Sequence, residues 1–323
     1  MLSDPWLSII IPAKNEAAGL ARILPELRQR HPEAEILVID DGSSDETAAI
    51  AMGIEGVACL SHPISIGNGA AIKTGARLAK GEVFVFMDGD GQHDPADVAR
   101  LLESIGRGFD LVVGARSTAS QASRSRSIGN GVLNRLASRM TGFAIRDLTS
   151  GFRAVRSSKF RSILYLLPNR FSYPTTSTMA FFRSGYFVDY VPIIARARDS
   201  TSKSHIRLTR DGIRFLIIVM KIGALFSPMR FFLPISVALF GLASLYYGYT
   251  FATDGRFTNM GVLLYVSSLH AFLIGVLSEQ ISALHYGRAE YAIRPSRASP
   301  RVVAESPVRT AHRRMTSQRK THS

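Results

Sequence analysis

The 323-residue sequence is poor in several things, and each shortage excludes a class of protein. A single cysteine, Cys59, leaves no internal disulfide and no four-cysteine zinc site, and fits a reducing compartment. No GxGxxG follows the first apolar strand, where the chain reads PAKNEA, and no P-loop occurs, which argues against the two commonest nucleotide-binding folds. The amino end, MLSDPW, leads straight into a strand and has no basic-then-apolar run of the signal-peptide type. Acidic residues are also short: 25 Asp+Glu against 39 Lys+Arg leave a net +14, which points to nucleic acid, anionic lipid or a phosphorylated substrate. Hydrophobic residues are not short. At 46%, with 20% charged, they allow a sizeable core and exclude wholesale disorder. The length suits one large α/β domain with an appendage.

Charge and apolar residues are unevenly placed. Phe231–Thr253 and Phe257–Ser278 contain no Asp, Glu, Lys or Arg, and each exceeds the roughly 20 residues a helix needs to cross a bilayer. The short link through Asp254–Arg256 makes them a helical hairpin across residues 231–285. Residues 206–230, apolar but interrupted by basic groups such as Arg214 and Lys221, read as an amphipathic juxtamembrane segment or as a helix packed on the soluble part. Residues 286–323 are a basic, Ser- and Pro-containing tail expected to be disordered against anionic lipid; from Arg288 on they hold nine Lys/Arg and two Glu. Positive charge flanking the hairpin on one side puts both termini on the cytoplasmic face of the cell membrane. Much of the excess charge therefore does not imply nucleic acid.

Residues 1–205 alternate strands and helices. Strands are expected at Leu7–Ile11, Glu35–Ile39, Val57–Leu60, Val83–Met87 and Leu111–Val113, with helices at Ala17–Arg30, Thr47–Met52, Ala70–Ala79 and Pro95–Ser104. That order implies an α/β fold with a mostly parallel sheet covered on both faces, binding ligands beyond the carboxyl ends of its strands. Polar residues collect there: Lys14-Asn15-Glu16, Asp40-Asp41 and Asp88-Gly89-Asp90. In FVFMDGDGQHDP, Asp88, Asp90 and Asp94 repel one another unless a cation neutralises them. Mg²⁺ or Mn²⁺ suits such oxygen donors, often bridging one or two carboxylates to substrate phosphates. A solvated acidic turn would match this DxD pattern too. In VIDDGSSDET, Ser44 or Asp45 caps the next helix, while the Asp40-Asp41 pair can accept hydrogen bonds from a base or ribose.

Together IIPAKNE, VIDDGSSDET, GNGAAIKTG, MDGDGQHDP, VGAR and DLTSGFRA stand in the order and spacing of the family-two glycosyltransferases. The chain resembles their polyprenyl-phosphate branch, over about Leu7 to Ser204 and again in the hairpin. The resemblance implies a GT-A-type, Rossmann-like fold. It implies that Pro12, Lys14 and Glu16 line a nucleotide pocket, with Ile39 and Asp41 against base and ribose. Asp88 and Gly89 approach ribose and diphosphate, and Asp90, Gln92 and Asp88 hold Mg²⁺ or Mn²⁺. Arg116 and Arg153 are phosphate candidates, and Asp147 lies on the acceptor side. In RARDSTSKSHIR the family's Arg and Ser-Lys fall on Arg196 or Arg198 and on Lys203 or His205, with Arg198 and Lys203 preferred.

The activity so implied is inverting transfer of one sugar from a nucleotide diphosphate sugar, UDP-glucose-like or GDP-mannose, to a polyprenyl phosphate. Asp90, Arg116, Asp147 and Lys203 would carry the catalysis. The expected partners are donor, lipid acceptor and bilayer, with no nucleic acid; a homo-oligomer built on hairpin packing also accords with the resemblance. A processive polysaccharide synthase shares the amino-terminal motifs but has a downstream QxxRW, and the only tryptophan here is Trp6. A non-enzymatic binder of anionic lipid accounts for the basic tail but not for the carboxylate clusters.

Overall fold

The computed structural model describes residues 6–116, 131, 134–135, 137–139, 141–170, 172–194, 228–256 and 258–292. Five strands and four helices come first: β1 (Leu7–Ala13), α1 (Ala17–Arg30), β2 (Glu35–Asp40), α2 (Thr47–Met52), β3 (Val57–Ser61), α3 (Asn68–Leu78), β4 (Val83–Phe86), α4 (Asp97–Gly106) and β5 (Leu111–Arg116). They are followed by β6 (Arg153–Arg156), α5 (Ser157–Ser162), α6 (Tyr173–Arg183) and β7 (Val188–Ile193), then by the long helices α7 (Pro228–Asp254) and α8 (Asn259–Ala292). The seven strands form one sheet in the order β3-β2-β1-β4-β6-β5-β7. Only β6 runs against its neighbours, pairing antiparallel with both β4 and β5.

Side-chain alternation along the central strands divides the core in two. Ile9 and Ile11 turn toward Leu20, Ile23 and Leu27 of α1 and Leu101 of α4. Ile10, Phe84 and Phe86 turn the other way, toward Ile72 of α3, Phe160 of α5 and Phe181 of α6. Runs buried on both faces are why these strands read as continuous apolar segments rather than alternating ones.

β1 does not stop at Pro12. Pro12 pairs with Ile39 and Ala13 with Asp40. The Ile10 carbonyl faces β4, accepting from the Met87 amide at 3.2 Å, so Pro12, two residues on, faces the same side beyond the last paired residue of β4. A residue without an N–H is tolerated there because no acceptor needs it. β5 likewise outruns its apolar stretch, because Gly114, Ala115 and Arg116 pair with Val191, Pro192 and Ile193 of β7. These extensions carry Lys14 and Arg116 to the same sheet edge.

α7 and α8 each contain a 26-residue stretch, Pro228–Thr253 and Asn259–Leu284, long and apolar enough to cross a membrane. They pack as a hairpin, with little of either stretch buried within the chain. The Ser236 and Ser268 hydroxyls each donate to the other's carbonyl at 2.9 Å, and the Tyr265 hydroxyl donates to Ser244 Oγ at 3.1 Å. Glu279 of α8 joins the hairpin to the sheet domain: it pairs with Arg183 at the end of α6 at 3.0 Å and accepts the Met229 amide at 3.3 Å. Of the expected amphipathic segment, residues 206–227 lie outside the described residues. Of the tail expected to be disordered from residue 286, residues 286–292 instead continue α8 as helix, and the rest lies outside the described residues.

Candidate active site

The β1–α1 turn is held open by its neighbour rather than by its own cap. Asn15 is left-handed, with φ 55°, the only such non-glycine residue among those described. Its amide donates to Ser43 Oγ at 2.9 Å, and its Oδ1 accepts the Ser44 amide at 2.8 Å. The Glu16 amide donates to Thr47 Oγ1 at 2.9 Å and the Ala17 amide to Asp45 Oδ2 at 3.3 Å. Asp45 also accepts the Thr47 amide at the start of α2, at 3.0 Å. Side chains after β2 thus satisfy the orphan amides that open α1, which fixes Lys14 and Glu16 over the ends of the strands.

Asp41 follows β2 and is only 3% exposed. Its carboxylate faces His62 Nδ1 at 2.9 Å and accepts from Ser65 Oγ at 2.7 Å, the Ile66 amide at 2.9 Å and the Gly67 amide at 2.8 Å. Burial by itself would raise its pKa, but the bonds from His62, Ser65 and the two amides hold it below the ordinary carboxylate value. Asp41 therefore organises the loop between β3 and α3. The same loop receives Lys14, whose Nζ donates to Ser65 Oγ at 2.7 Å. His62 was not foreseen in the sequence; its other ring nitrogen is 3.0 Å from Thr74 Oγ1.

β4 ends in the DxD turn. Gly91 is left-handed, with φ 70°, and its carbonyl accepts from Arg22 of α1 at 2.6 Å. Gly19, one turn before Arg22, lies so close that a Cβ there would stand 2.1 Å from the Gly89 carbonyl oxygen. Gly151 provides the same room on the far side, where a Cβ would be 2.6 Å from Asp88 Oδ2. Asp90 accepts the Gln92 amide at 3.0 Å. His93 stacks on Phe152 at 4.9 Å and is 6% exposed, with no hydrogen-bond partner for Nδ1 among the described residues.

Two lobes of one cleft open above these elements. The smaller, about 360 Å³, is lined by Pro12, Lys14, Glu16, Asp41, Gly89 and Asp90, among others. The larger, about 600 Å³, is lined by Thr149, Gly151, Arg170, Ser172, Tyr173 and Pro174. Lys14, Ser65, Gly67, Asn68 and Asp88 border both. Burial raises the Asp88 pKa; His93 pulls it down, while the negative charge of Asp90 pushes it further up.

Among the described residues no three His, Cys, Asp or Glu side chains cluster as a metal cage. Two carboxylates on one lobe, one of them destabilised by the other, nevertheless fit a hard divalent ion that completes its shell with substrate phosphates and water. Asp88 and Asp90 would hold it; Gln92, the third expected ligand, is half-buried and is not among the residues lining either lobe.

Arg116 and Asp147 form a fork. Arg116 Nε is 2.8 Å from Asp147 Oδ2, and Nη2 is 3.1 Å from Oδ1 and 2.7 Å from Thr149 Oγ1. Asp147 also accepts the Thr149 and Ser150 amides at 3.1 Å. Burial works to raise the Asp147 pKa, but Arg116 holds it down. The pair stands behind Thr149 rather than on the cavity wall, so it shapes the wall instead of meeting ligand directly.

Arg116 and Asp147 were expected to meet the reacting groups, and their place behind the wall corrects that; two further expectations need correction. Arg153 is fully buried and bonded to Ser177 Oγ at 2.7 Å, the Pro174 carbonyl at 3.0 Å and the Ser150 carbonyl, so it braces β6 against α6 and does not reach a phosphate. Ile39 is 1% exposed and packs in the core against α3 rather than lining the cleft. Arg198 and Lys203 lie outside the described residues. Arg170 and Tyr173 were missed: they come from a stretch with no acidic or glycine-rich motif, and only the fold brings them to the cleft.

Comparison with known proteins agrees with this geometry. Residues 8–164 match the family model described as glycosyl transferase family 2, and residues 227–284 match the GtrB C-terminal hairpin. Polyprenol monophosphomannose synthase of Mycolicibacterium smegmatis is 31% identical over 205 residues, 59% of this chain and 77% of that protein. Undecaprenyl-phosphate 4-deoxy-4-formamido-L-arabinose transferase of Pseudomonas fluorescens is 27% identical, with 87% of this chain and 86% of the other covered. Among solved structures, glucosyl-3-phosphoglycerate synthase from Mycobacterium tuberculosis, in complex with Mn²⁺ and UDP-glucose, superposes with a TM-score of 0.55. At 20% identity, over 67% of this chain and 77% of that one, it shares the fold.

Proposed function

The chain belongs to glycosyl transferase family 2, and from that premise we propose that it moves one sugar from a nucleotide diphosphate sugar to a polyprenyl phosphate at a membrane face. The observation that carries this reading is the joining of two features in one chain. Asp88 and Asp90 line a polar cleft at the carboxyl ends of the strands, and Glu279 and Arg183 tie that domain to a long apolar hairpin. Named relatives act on polyprenol phosphates, and a structural neighbour was solved with Mn²⁺ and UDP-glucose.

In this reading the smaller lobe takes the nucleotide. The backbone of Pro12–Lys14 and the Asp41-held loop form its walls, and the Lys14 ammonium sits where a diphosphate charge accumulates. A bound Mg²⁺ or Mn²⁺ would neutralise the leaving diphosphate as the bond to the anomeric carbon breaks. Asp88 and Asp90 would hold that ion, and Gly151 keeps the Asp88 carboxylate clear of a neighbouring side chain. An oxygen of the acceptor phosphate attacks the anomeric carbon from the opposite side, inverting it. The phosphate is already anionic at neutral pH, so no side chain has to remove a proton; alignment and electrostatics carry the rate. UDP-glucose or a related UDP-sugar is the first donor to try, with GDP-mannose next.

The hairpin moors the cleft beside an acceptor whose prenyl chain stays in the bilayer, with both termini on the cytoplasmic side. Membranes containing the full chain, given radiolabelled nucleotide sugar and undecaprenyl phosphate, should pass label into the organic phase only with divalent metal present. Chelator and Asp90→Ala should each abolish it. Label passing equally well with chelator would remove the metal from the account, and label reaching only water would remove the lipid acceptor.

A further inference from the structure

The larger lobe has an unusual charge balance. Among the described residues on its wall, Asp88 is the one acid, at the border with the nucleotide lobe, and Lys14 and Arg170 are the cations. The Arg170 guanidinium makes no hydrogen bond or ion pair with any described residue. Among the described residues, the other two arginines expected to meet a phosphate are engaged elsewhere: Arg153 is sealed in the core and Arg116 is forked onto Asp147.

Arg170 is not a chance surface residue, because the backbone beneath it is built in. The Asn169 carbonyl accepts the Ala70 amide of α3 at 2.8 Å, and Lys73 donates to the Leu167 carbonyl at 3.2 Å and to Asn169 Oδ1. Gly67, with φ 123°, and Gly69 allow this approach. A Cβ on Gly67 would stand 2.9 Å from Arg170 Cγ, and one on Gly69 would stand 2.0 Å from the Pro168 carbonyl oxygen. Both α3 and α6 also begin at this lobe, at Asn68 and Tyr173, and aim the positive ends of their dipoles at it.

We propose that the larger lobe is an anion-recognising subsite in which Arg170 grips a compact oxyanion, with Lys14 as the second cation; this deepens the transfer reaction proposed above and rests on it. A neutral hexose requires no cation there. Two groups of the same chemistry could occupy the subsite: the phosphate monoester of the acceptor, or a carboxylate carried by the donor sugar.

The test uses the purified full chain in detergent, as wild type, Arg170→Gln and Arg170→Lys. Direct binding is measured for UDP-glucose, for UDP-glucuronate, and for farnesyl phosphate in the presence of UDP and Mn²⁺. One charge-assisted hydrogen bond lost should weaken the anion by about tenfold to a hundredfold. If Arg170→Gln weakens farnesyl phosphate alone, the anion is the acceptor's phosphate. If it weakens UDP-glucuronate and spares UDP-glucose, the anion is on the donor sugar. Either result supports the subsite, and Arg170→Lys should restore part of the loss. A folded Arg170→Gln that binds all three like wild type, or weakens all three equally, overturns it. Because binding is read without turnover, a wild type that holds the anion but transfers no sugar refutes the function and leaves the subsite. A wild type that transfers sugar, with a Gln variant that binds like it, does the reverse.

Discussion

Gly19→Ala should damage activity far more than stability. Gly19 lies in the first turn of α1, where alanine would normally help by up to about 1 kcal/mol. Here its Cβ would stand 2.1 Å from the Gly89 carbonyl oxygen and 2.9 Å from the Asp90 carbonyl carbon, both backbone atoms. Restoring ordinary van der Waals separation needs a shift of roughly 1 Å in the DxD turn, or in α1 against it. Overpacking of that kind costs about 1–3 kcal/mol, so the net loss after the helix gain is about 0–2 kcal/mol. For a domain of this size that lowers the thermal midpoint by less than about 8 °C. A misplacement of about 1 Å in a catalytic constellation can cost about 10² in rate. Initial rates of sugar transfer at 25 °C, with a melting curve on the same sample, separate the two effects. Gly106→Ala is the control: it closes α4, and a Cβ there meets nothing within 4 Å. Wild-type turnover in Gly19→Ala would show that the position of the Asp88–Asp90 backbone does not limit the reaction.

Asp90→Ala should lower turnover by about 10²–10³ while leaving the melting curve in place; an intact rate would remove Asp90 from the chemistry. Asp41→Asn should release the loop from Ser65 to Gly67 and raise the donor KM about tenfold or more with a smaller change in kcat, and an unchanged KM would contradict its organising role. Because the Asp41 pKa is depressed in the folded chain, its stabilisation is complete above the ordinary carboxylate value of 3.8 and is lost as pH falls through the folded value. Amide exchange at Ile66 and Gly67 should accelerate over that acid window in wild type, and in Asp41→Asn should already be fast and show no such step. Asp147→Asn should lower the thermal midpoint by several degrees, since it leaves the partly buried Arg116 without its charge partner; no shift would mean the fork contributes little.

Motif-bearing residues were legible because strand ends must deliver them. Lys14, Glu16, Asp41, Asp88, Gly89 and Asp90 follow β-branched or aromatic runs directly, and the fold brings all six to one lobe. The hairpin was legible from the absence of charge over spans longer than any soluble core helix needs. β6, β7 and α6 were not, because RAVR is short and basic and the YPTTSTMAFFR stretch has no clean helical stripe. Their placement depends on pairing with β4 and β5, a long-range fact. Arg153 shows the limit of motif reading: the same SGFR pattern suits a phosphate ligand or a buried brace, and only the acceptors Ser177, Pro174 and Ser150 around it decide. Gly19 carries no signal at all in the sequence. Its meaning comes from the carbonyl of Gly89, seventy residues on and packed against it.

The most direct measurement is the mass of the lipid made in a single incubation of purified full chain, divalent metal, nucleotide sugar and undecaprenyl phosphate. The account predicts one new species, heavier than the acceptor by a single sugar residue and formed with one equivalent of nucleoside diphosphate. A ladder of longer products, or free sugar with the acceptor unchanged, would contradict it.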